Sequence, residues 1–567
     1  MKSANSIATI LIVIFVALAG TSAVKKSATV DEFAHLAVGL YAWHTRDFSL
    51  YGKTPPAARM LETLPVLLLG PKVPTDLGRL QGEAWKPWTY GAWFQLENLD
   101  RYDRLLRVAR QTVILMGVAL LLLIYFASRA RYGDLGGLVS LTAAVFSPTL
   151  IAHSQLATTD AAAALFGFAF LLLLLRYIRL PRPGYLILMA ASAAMAALSK
   201  FSMLFLVPFL VPGAQLGAWY YWKWSLKHKK DPGPLVRRGM LLSHAPVVAV
   251  IFWVMIYISY QGKFVGQYQE PLRSKSLSAL APLVRIPPLP AEFTRGLDLQ
   301  LADTERGEWR SGNYLLGRWY GGSRWYYYLV AVAAKEPVPY LIALAAALAL
   351  ILRRPRLDEA ALLGFAALYF LTASTFGALQ IGIRYLLPIY PVGFLLLGRL
   401  GEFASDQSPA PLKWKKAVAA GIMVAGLWAA GANLYAWPDY LSYFSPAVGG
   451  ADRGRKALLD SNLDWGQDLP GLAAWMRQNN LTKIDLVYFG HDNPRRFGID
   501  FSLPARNSGN KYIAISANYL MGRDYPMTFV SGVTRSDPVW VVVASFRDKK
   551  PAAIIGHSIY IFDQGGP

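Results

Sequence analysis

The chain has 567 residues, 54% of them hydrophobic, and carries 57 Lys and Arg against 35 Asp and Glu, a net charge of +22. So apolar a composition points to a polytopic membrane protein rather than a string of soluble domains. The cations stand in short clusters between apolar runs, which is a topology signal and not the exposed basic face a nucleic-acid binder needs; zero cysteines exclude disulfides, thiolate metal sites and a cysteine nucleophile.

A helix needs roughly 20 apolar residues to cross about 30 Å of hydrocarbon. In chain order, that length is met or approached at 6–24, 111–128, 136–153, 161–177, 184–199, 202–220, 240–260, 334–352, 359–377, 385–400 and 416–434. The expectation is therefore about eleven transmembrane helices. The first run has a short basic start and small residues at 21–23, as a signal peptide would, but its length favours a retained anchor. A large loop follows (25–110), holding Trp85, Trp88, Trp93 and the pair Pro55–Pro56. Its last part, RYDRLLRVAR (101–110), has the spacing of an amphipathic helix lying at the membrane interface.

The next connections alternate in charge. With residue 1 in the cytoplasm, the cytoplasmic loops hold Arg129 and Arg131; Arg179 and Arg182; Lys223, Lys227, Lys229, Lys230, Arg237 and Arg238; Arg353, Arg354 and Arg356; and Lys413 and Lys415. Cations in short loops on one side are what the positive-inside rule asks for, so the chain is predicted to run N-in, C-out. Two more extracytoplasmic pieces result, 261–333 and the tail. The predicted division is a transmembrane part, 1–434, and a small α/β domain, 435–567. In that tail a helical pattern (LPGLAAWMRQ) alternates with the strand-like runs KIDLVYF, KYIAIS, PVWVVVAS and HSIYIF.

Charge at the end of an apolar span is costly and usually functional. On this topology Asp31, Glu32, His35, Asp160, Lys200 and Arg384 all fall at the outer ends of spans. Each has a plain explanation. Asp160 in TTDAAAAL could serve as a helix cap, Glu32 and His35 are three apart and could pair, and Lys200 and Arg384 could be snorkelling anchors. The set is more persuasive than its members. Acids and bases gathered on one leaflet suit a site that meets a lipid-borne and a water-borne substrate. A positioned carboxylate can take a proton from a hydroxyl, and a nearby cation can stabilise a departing phosphate. A proton-coupled transporter is the rival reading, although transporters place such groups near the bilayer midplane. A non-enzymatic scaffold for envelope assembly is the third.

Several stretches carry a resemblance: VDEFAHLAVGLYAWHTRDFSLYGKTPPAARMLETLPVLLLGP, SPTLIAHSQLATTDAAAALFGFAFLLLL, GRWYGGSRWYYYLVAVAAKEPVP, IGIRYLLPIYP and the string DSNLDWGQDL within 440–476. Over nearly its whole length the chain resembles the bacterial polyprenyl-phosphate-dependent glycosyltransferases of the GT-C membrane fold, relatives of the protein O-mannosyltransferases and the lipid A aminoarabinose transferase. The resemblance implies an all-α polytopic GT-C architecture and an inner-membrane enzyme with an external site. It implies transfer of a hexose or pentose from an undecaprenyl or related polyprenyl phosphate to a protein, lipid or glycan acceptor, with inversion; nucleic acid is not a partner. Asp31 would be the general base, with Glu32 beside it and Asp160 holding the acceptor or the base. Lys200, Arg384, Tyr385 and His35 would bind substrate, the first two around the carrier phosphate. A flippase or transporter of lipid-linked sugars is the alternative. Where relatives carry a Glu-His-Pro-Pro stretch, this chain has Lys53-Thr54-Pro55-Pro56. No cofactor is required by this reading, and a divalent metal is left open.

Asp460, Asn462, Asp464, Trp465, Gln467 and Asp468 have two readings of their own. They either form a hydrogen-bonded turn that fastens the tail to the membrane part, or bind sugar or acceptor. An EF-hand calcium loop is disfavoured, since the glycine and terminal Glu of that loop are missing.

Overall fold

The computed structural model describes the chain except residues 1, 81–85, 181, 206–222, 224–225, 228–240, 263–269, 281–288, 307–311, 378, 506–507, 524–537 and 566–567. Among the described residues, six helices are long and apolar enough to cross a membrane: Ser3–Val24, Tyr102–Val145, Thr159–Arg179, Leu357–Thr375, Ile383–Ala404 and Leu412–Ala436. A seventh span is available from Tyr327–Lys335 with Val338–Arg353, which meet at a bend of 119°. These residues do not establish the expected eleven, since Tyr102–Val145, counted once here, reverses direction at Gly133. The run 202–220 lies largely outside them. Pro183–Ser199 is apolar but shorter than a full span, whereas the run 240–260 corresponds to the helix Leu241–Ser259, of which Val247–Ser259 carries described side chains. The run 334–352 straddles the bend, where Pro337 and Pro339 withhold the backbone donors a continuous helix needs.

Chain order begins with α1 (Lys2–Val24), α2 (Val30–Thr45), α3 (Ala57–Thr63) and α4 (Lys86–Glu97). Then come α5 (Tyr102–Val145), α6 (Pro148–Ser154), α7 (Thr159–Arg179) and α8 (Pro183–Ser199). The 44 residues of α5 are not one rod. Twelve residues of continuous helix would separate Ser128 and Ser140 by about 18 Å, yet their hydroxyls lie 2.8 Å apart. The chain reverses at Gly133, whose φ of 76° and ψ of −178° suit a residue without a side chain. The basic stretch 101–110 is not a separate interfacial helix. It is the first part of α5, and Arg110 is buried because its guanidinium is claimed by Glu32.

Helix α7 orders the two ends of the molecule. Asp160 opens it and Arg179 closes it, about 29 Å apart at 1.5 Å per residue. At the Arg179 end, Arg131 Nε donates to Asp358 at 2.9 Å and Arg179 lies 3.3 Å from the same carboxylate. There too Tyr132 donates to Glu359 at 2.9 Å and Arg399 reaches Glu402 at 2.6 Å. The basic connections 129–135, 178–183, 353–358 and 401–415 therefore share one end, and the acids of the first loop share the other.

After the hairpin β1 (Asn313–Leu315) and β2 (Arg318–Tyr320), the remaining strands lie in the tail. They are β3 (Lys483–Val487), β4 (Asp500–Ser502), β5 (Tyr512–Ser516), β6 (Ala553–Ile555) and β7 (Ile559–Asp563). They form one mixed sheet in the order β4-β3-β5-β7-β6, with β3 parallel to β4 and β5 and the other pairs antiparallel. Leu469, Leu472, Ala473 and Met476 recur at helical spacing and pack the helix Leu469–Gln478 against Ile484, Leu486 and Ile561. PVWVVVAS is not a strand. Residues Pro538–Ala544 are helical, with Val539 and Val543 buried one turn apart and Val541 exposed, so tertiary packing overrides the β preference of valine.

Candidate active site

Thr29 and Glu32 start α2 with a capping box: the Thr29 amide and hydroxyl both donate to Glu32 Oε2, at 3.0 and 2.9 Å. The rest of the Glu32 carboxylate is taken as well. Arg110 grips it with Nε on Oε1 and Nη2 on Oε2, each at 2.7 Å, and the Ala157 amide donates to Oε1 at 2.8 Å. Burial pushes this carboxyl upward, but the Arg110 charge and the hydrogen bonds outweigh it and hold it below its usual range. Arg110 also donates to the carbonyls of Ala23, Lys26 and Ser27. Glu32 therefore pairs with Arg110 and not with His35. It locks the end of α1, the start of α2 and the approach to α7 together.

Successive helical residues point about 100° apart, so Asp31 faces elsewhere. Asp31 accepts from Arg384 Nη1 at 2.7 Å; the same nitrogen lies 3.6 Å from Asp160, and Asp160 accepts from Lys200 at 2.6 Å. The result is an alternating chain of acid, base, acid and base. Its members come from the first turn of α2, the 3₁₀ segment Ile383–Ile389, the first turn of α7 and the residue that ends α8. Both acids sit at helix N-termini, where the backbone dipole favours negative charge. Asp160 does not cap α7, since Thr158 holds the cap position. Neither Lys200 nor Arg384 is a snorkelling anchor, because both cations turn inward to carboxylates. Tyr385 lies under them, its ring 4.2 Å from Lys200 Nζ and 5.3 Å from the Arg384 guanidinium. Asp31 keeps 18% of its side-chain surface exposed while Asp160 keeps none.

His35 follows Asp31 by one helical turn and is buried, with Tyr51 against its ring at 5.7 Å. Burial is the largest effect on the imidazole and drives its pKa down to about 4, so the ring is neutral at pH 7.

The string 460–468 grips both halves of this site. The carbonyls of Trp465 and Gln467 accept from the amides of Val30 and Ser27, each at 3.0 Å, and Lys26 pairs with Asp468 and Asp439. On the other side, Asn462 Oδ1 accepts from the Ile383 amide at 2.9 Å and Ser461 donates to the Ile381 carbonyl at 3.0 Å. Asp460 pairs with Arg523, Asp464 accepts from the Asn518 amide at 3.2 Å, and Gln467 Nε2 donates to the Leu463 carbonyl at 2.9 Å. The Trp465 ring lies 4.4 Å beneath the Arg384 guanidinium. Most of the string thus holds the segments that present Asp31 and Arg384, and Trp465 alone among its side chains touches a charged member of the cluster directly.

Three residues here were not singled out from sequence: Arg110, Lys335 and Glu62. Arg110 was hidden in a stretch with the periodicity of a surface helix. Lys335 is buried and donates to the carbonyls of Leu441, Tyr443 and Asn462, so it ties the helix bend to the string. A lysine followed by Glu and Pro inside an apolar run was the available signal. The donor set does not fit a metal ion. Among the described residues no three His, Asp or Glu side chains gather, and both carboxylates of the cluster are already neutralised by cations.

Residues 102–253 match the family model described as dolichyl-phosphate-mannose-protein mannosyltransferase. No curated protein matches the sequence. Among solved structures, the chain is similar to ArnT from Cupriavidus metallidurans bound to undecaprenyl phosphate, at 12% identity over 98% of this chain and 97% of that one, with a TM-score of 0.46. It is also similar to the oligosaccharyltransferase AglB from Archaeoglobus fulgidus in complex with an inhibitory peptide and a dolichol-phosphate, at 10% identity over 91% and 70% of the two chains, with a TM-score of 0.44. Through residues 102–253, which include Arg110, Asp160 and Lys200, the chain is similar to the protein mannosyltransferases that this family model describes.

Proposed function

We propose that the chain transfers a sugar from a polyprenyl-phosphate donor, undecaprenyl phosphate or a close relative, to an extracytoplasmic acceptor with inversion at the anomeric carbon. It would sit in the plasma membrane N-in, C-out, with residues 435–567 as an external α/β domain. The observation that supports this best is the alternating chain Asp31–Arg384–Asp160–Lys200, which sets a base beside a phosphate cradle. Asp31, the more exposed acid, takes the proton of the acceptor hydroxyl as its oxygen attacks the anomeric carbon. The bond from that carbon to the phosphate oxygen breaks with its electron pair, and polyprenyl phosphate departs. Arg384 and Lys200 stabilise the charge left on it. Arg384 Nε is buried without a hydrogen-bond partner among the described residues, so the guanidinium has a donor to give. Asp160 holds both cations, and Glu32 positions Asp31 rather than reacting.

The test is transfer by purified protein in detergent with lipid-linked sugars. Asp31→Asn should lose roughly 10²- to 10⁴-fold in rate, the usual size of a general-base contribution, while donor binding persists. Full activity in that variant would remove the base assignment.

One observation favours a transporter instead. The bent pair Tyr327–Lys335 and Val338–Arg353 carries a buried Lys335–Glu336 pair at its break, as broken transporter helices do. Lys335, however, is occupied by three carbonyls. Transfer without a closed bilayer separates the two readings.

A further inference from the structure

Glu32 has every lone pair answered, whereas a second buried acid nearby has none. Glu62, on α3, is 1% exposed, and neither carboxyl oxygen has a hydrogen-bond partner. Native proteins rarely leave such atoms unsatisfied, so each instance asks for a reason. Two neighbours share the condition: His35 Nδ1 and Arg59 Nε are also buried and unpartnered. The other Arg59 nitrogens donate to the carbonyls of Thr54 and Tyr51, at 2.9 and 3.1 Å, and so hold the 51–54 turn in place. That turn presents Tyr51 to His35, and the Trp88 ring lies 5.7 Å from Tyr51. Trp88 Nε1 in turn donates to the carbonyl of Val30, the residue before Asp31. His35 and Tyr51 thus lie in the field of the proposed base, and Arg59, one turn of α3 before Glu62, acts on both His35 and Glu62. His35 shares the Asp31 face of α2, one turn on.

Directional hydrogen-bonding atoms beside flat aromatic faces suit a ligand that is polar at its edges and apolar across its face. A sugar ring has that chemistry. We propose that Glu62, with His35 and the rings of Tyr51 and Trp88, forms a sugar-ring subsite beside Asp31 in which the Glu62 carboxyl hydrogen-bonds a ring hydroxyl. Burial, with the fields of Glu32 and Asp160, pushes Glu62 up to about 8. At pH 7 it is therefore a neutral acid that both donates and accepts. The inference rests on the transferase reading, and either sugar, the donor's or an acceptor's, could fill the subsite.

The test uses the full chain in detergent, with Glu62→Leu and Glu62→Gln. Two probes are titrated, undecaprenyl phosphate and undecaprenyl-phosphate-linked mannose, and transfer kinetics are recorded with donor and acceptor varied separately. If the subsite takes the donor sugar, Glu62→Leu removes the advantage of the sugar-bearing lipid over the bare one by about tenfold, the size of one hydrogen bond. Affinity for the bare lipid stays unchanged. If it takes the acceptor, the acceptor KM rises by a similar factor and donor binding does not move. Glu62→Gln, which keeps a donor and an acceptor, retains most of the wild-type value in either case. Unchanged sugar dependence and KM in a folded Glu62→Leu protein overturn the proposal. A wild-type protein that transfers nothing, yet binds the mannose-bearing lipid more tightly in a Glu62-dependent way, sinks the transferase reading and leaves the subsite standing. An inactive wild type with no such sugar dependence sinks both.

Discussion

Replacing Glu32 with alanine separates a positioning role from a catalytic one. The change deletes a carboxylate that receives two bonds from Arg110, two from Thr29 and one from Ala157. Two unit charges about 4 Å apart attract by roughly 4 kcal/mol at an effective dielectric constant of about 20. Removing one partner of a buried pair costs about 3–5 kcal/mol, because the other charge is left behind. Arg110 would keep only the carbonyls of Ala23, Lys26 and Ser27. The penalty therefore falls on the joint between α1, α2 and α5, and Glu32→Ala should lose about 3–5 kcal/mol of stability. Glu32→Gln keeps an acceptor for Arg110 and should lose less while retaining measurable transfer. The assay is thermal unfolding of detergent-solubilised protein by intrinsic tryptophan fluorescence, run beside Asp31→Asn, whose partner Arg384 still faces Asp160. If Asp31→Asn proves as destabilising as Glu32→Ala, or if Glu32→Ala folds with wild-type stability and merely loses activity, the division of labour argued for these adjacent acids is wrong.

Two further outcomes follow from the same geometry. Lys200→Met and Arg384→Lys should each raise the donor KM about tenfold or more without comparable loss of acceptor affinity, since the first removes a cation and the second removes the planar guanidinium with its unpartnered Nε donor; the check is steady-state kinetics with the donor varied. Glu62 has its folded-state pKa raised from 4.5 to about 8, so its contribution to stability is complete below about pH 4.5 and is lost as pH rises to about 8. Unfolding temperatures measured across pH 4.5–8 should therefore fall more steeply in wild type than in Glu62→Gln, and parallel curves would refute the shift.

What was legible in the sequence was the chemistry that membranes make expensive. Asp31, Asp160, Lys200 and Arg384 stood out because charge at the end of an apolar span needs a reason, and the structure brings all four into one ion-paired chain. The apolar runs were legible as membrane helices for the same reason, that about 20 residues of hydrocarbon-facing helix leave a compositional trace. Partnership left no such trace. Glu32 and His35 share a helical face by spacing, yet Glu32 belongs to Arg110, 78 residues away, and spacing within one helix says nothing about a neighbour from another. The same limit hid Glu62, an ordinary acid in MLET until folding buried it in the fields of Glu32, Asp160 and Arg59. It also split the apparent span at 334–352 and turned PVWVVVAS into a helix. The sequence by itself determined which residues could not rest in lipid without a purpose. Only the tertiary structure decided how those residues pair, because that depends on where each charge finds its opposite, and those partners lie tens to hundreds of residues away.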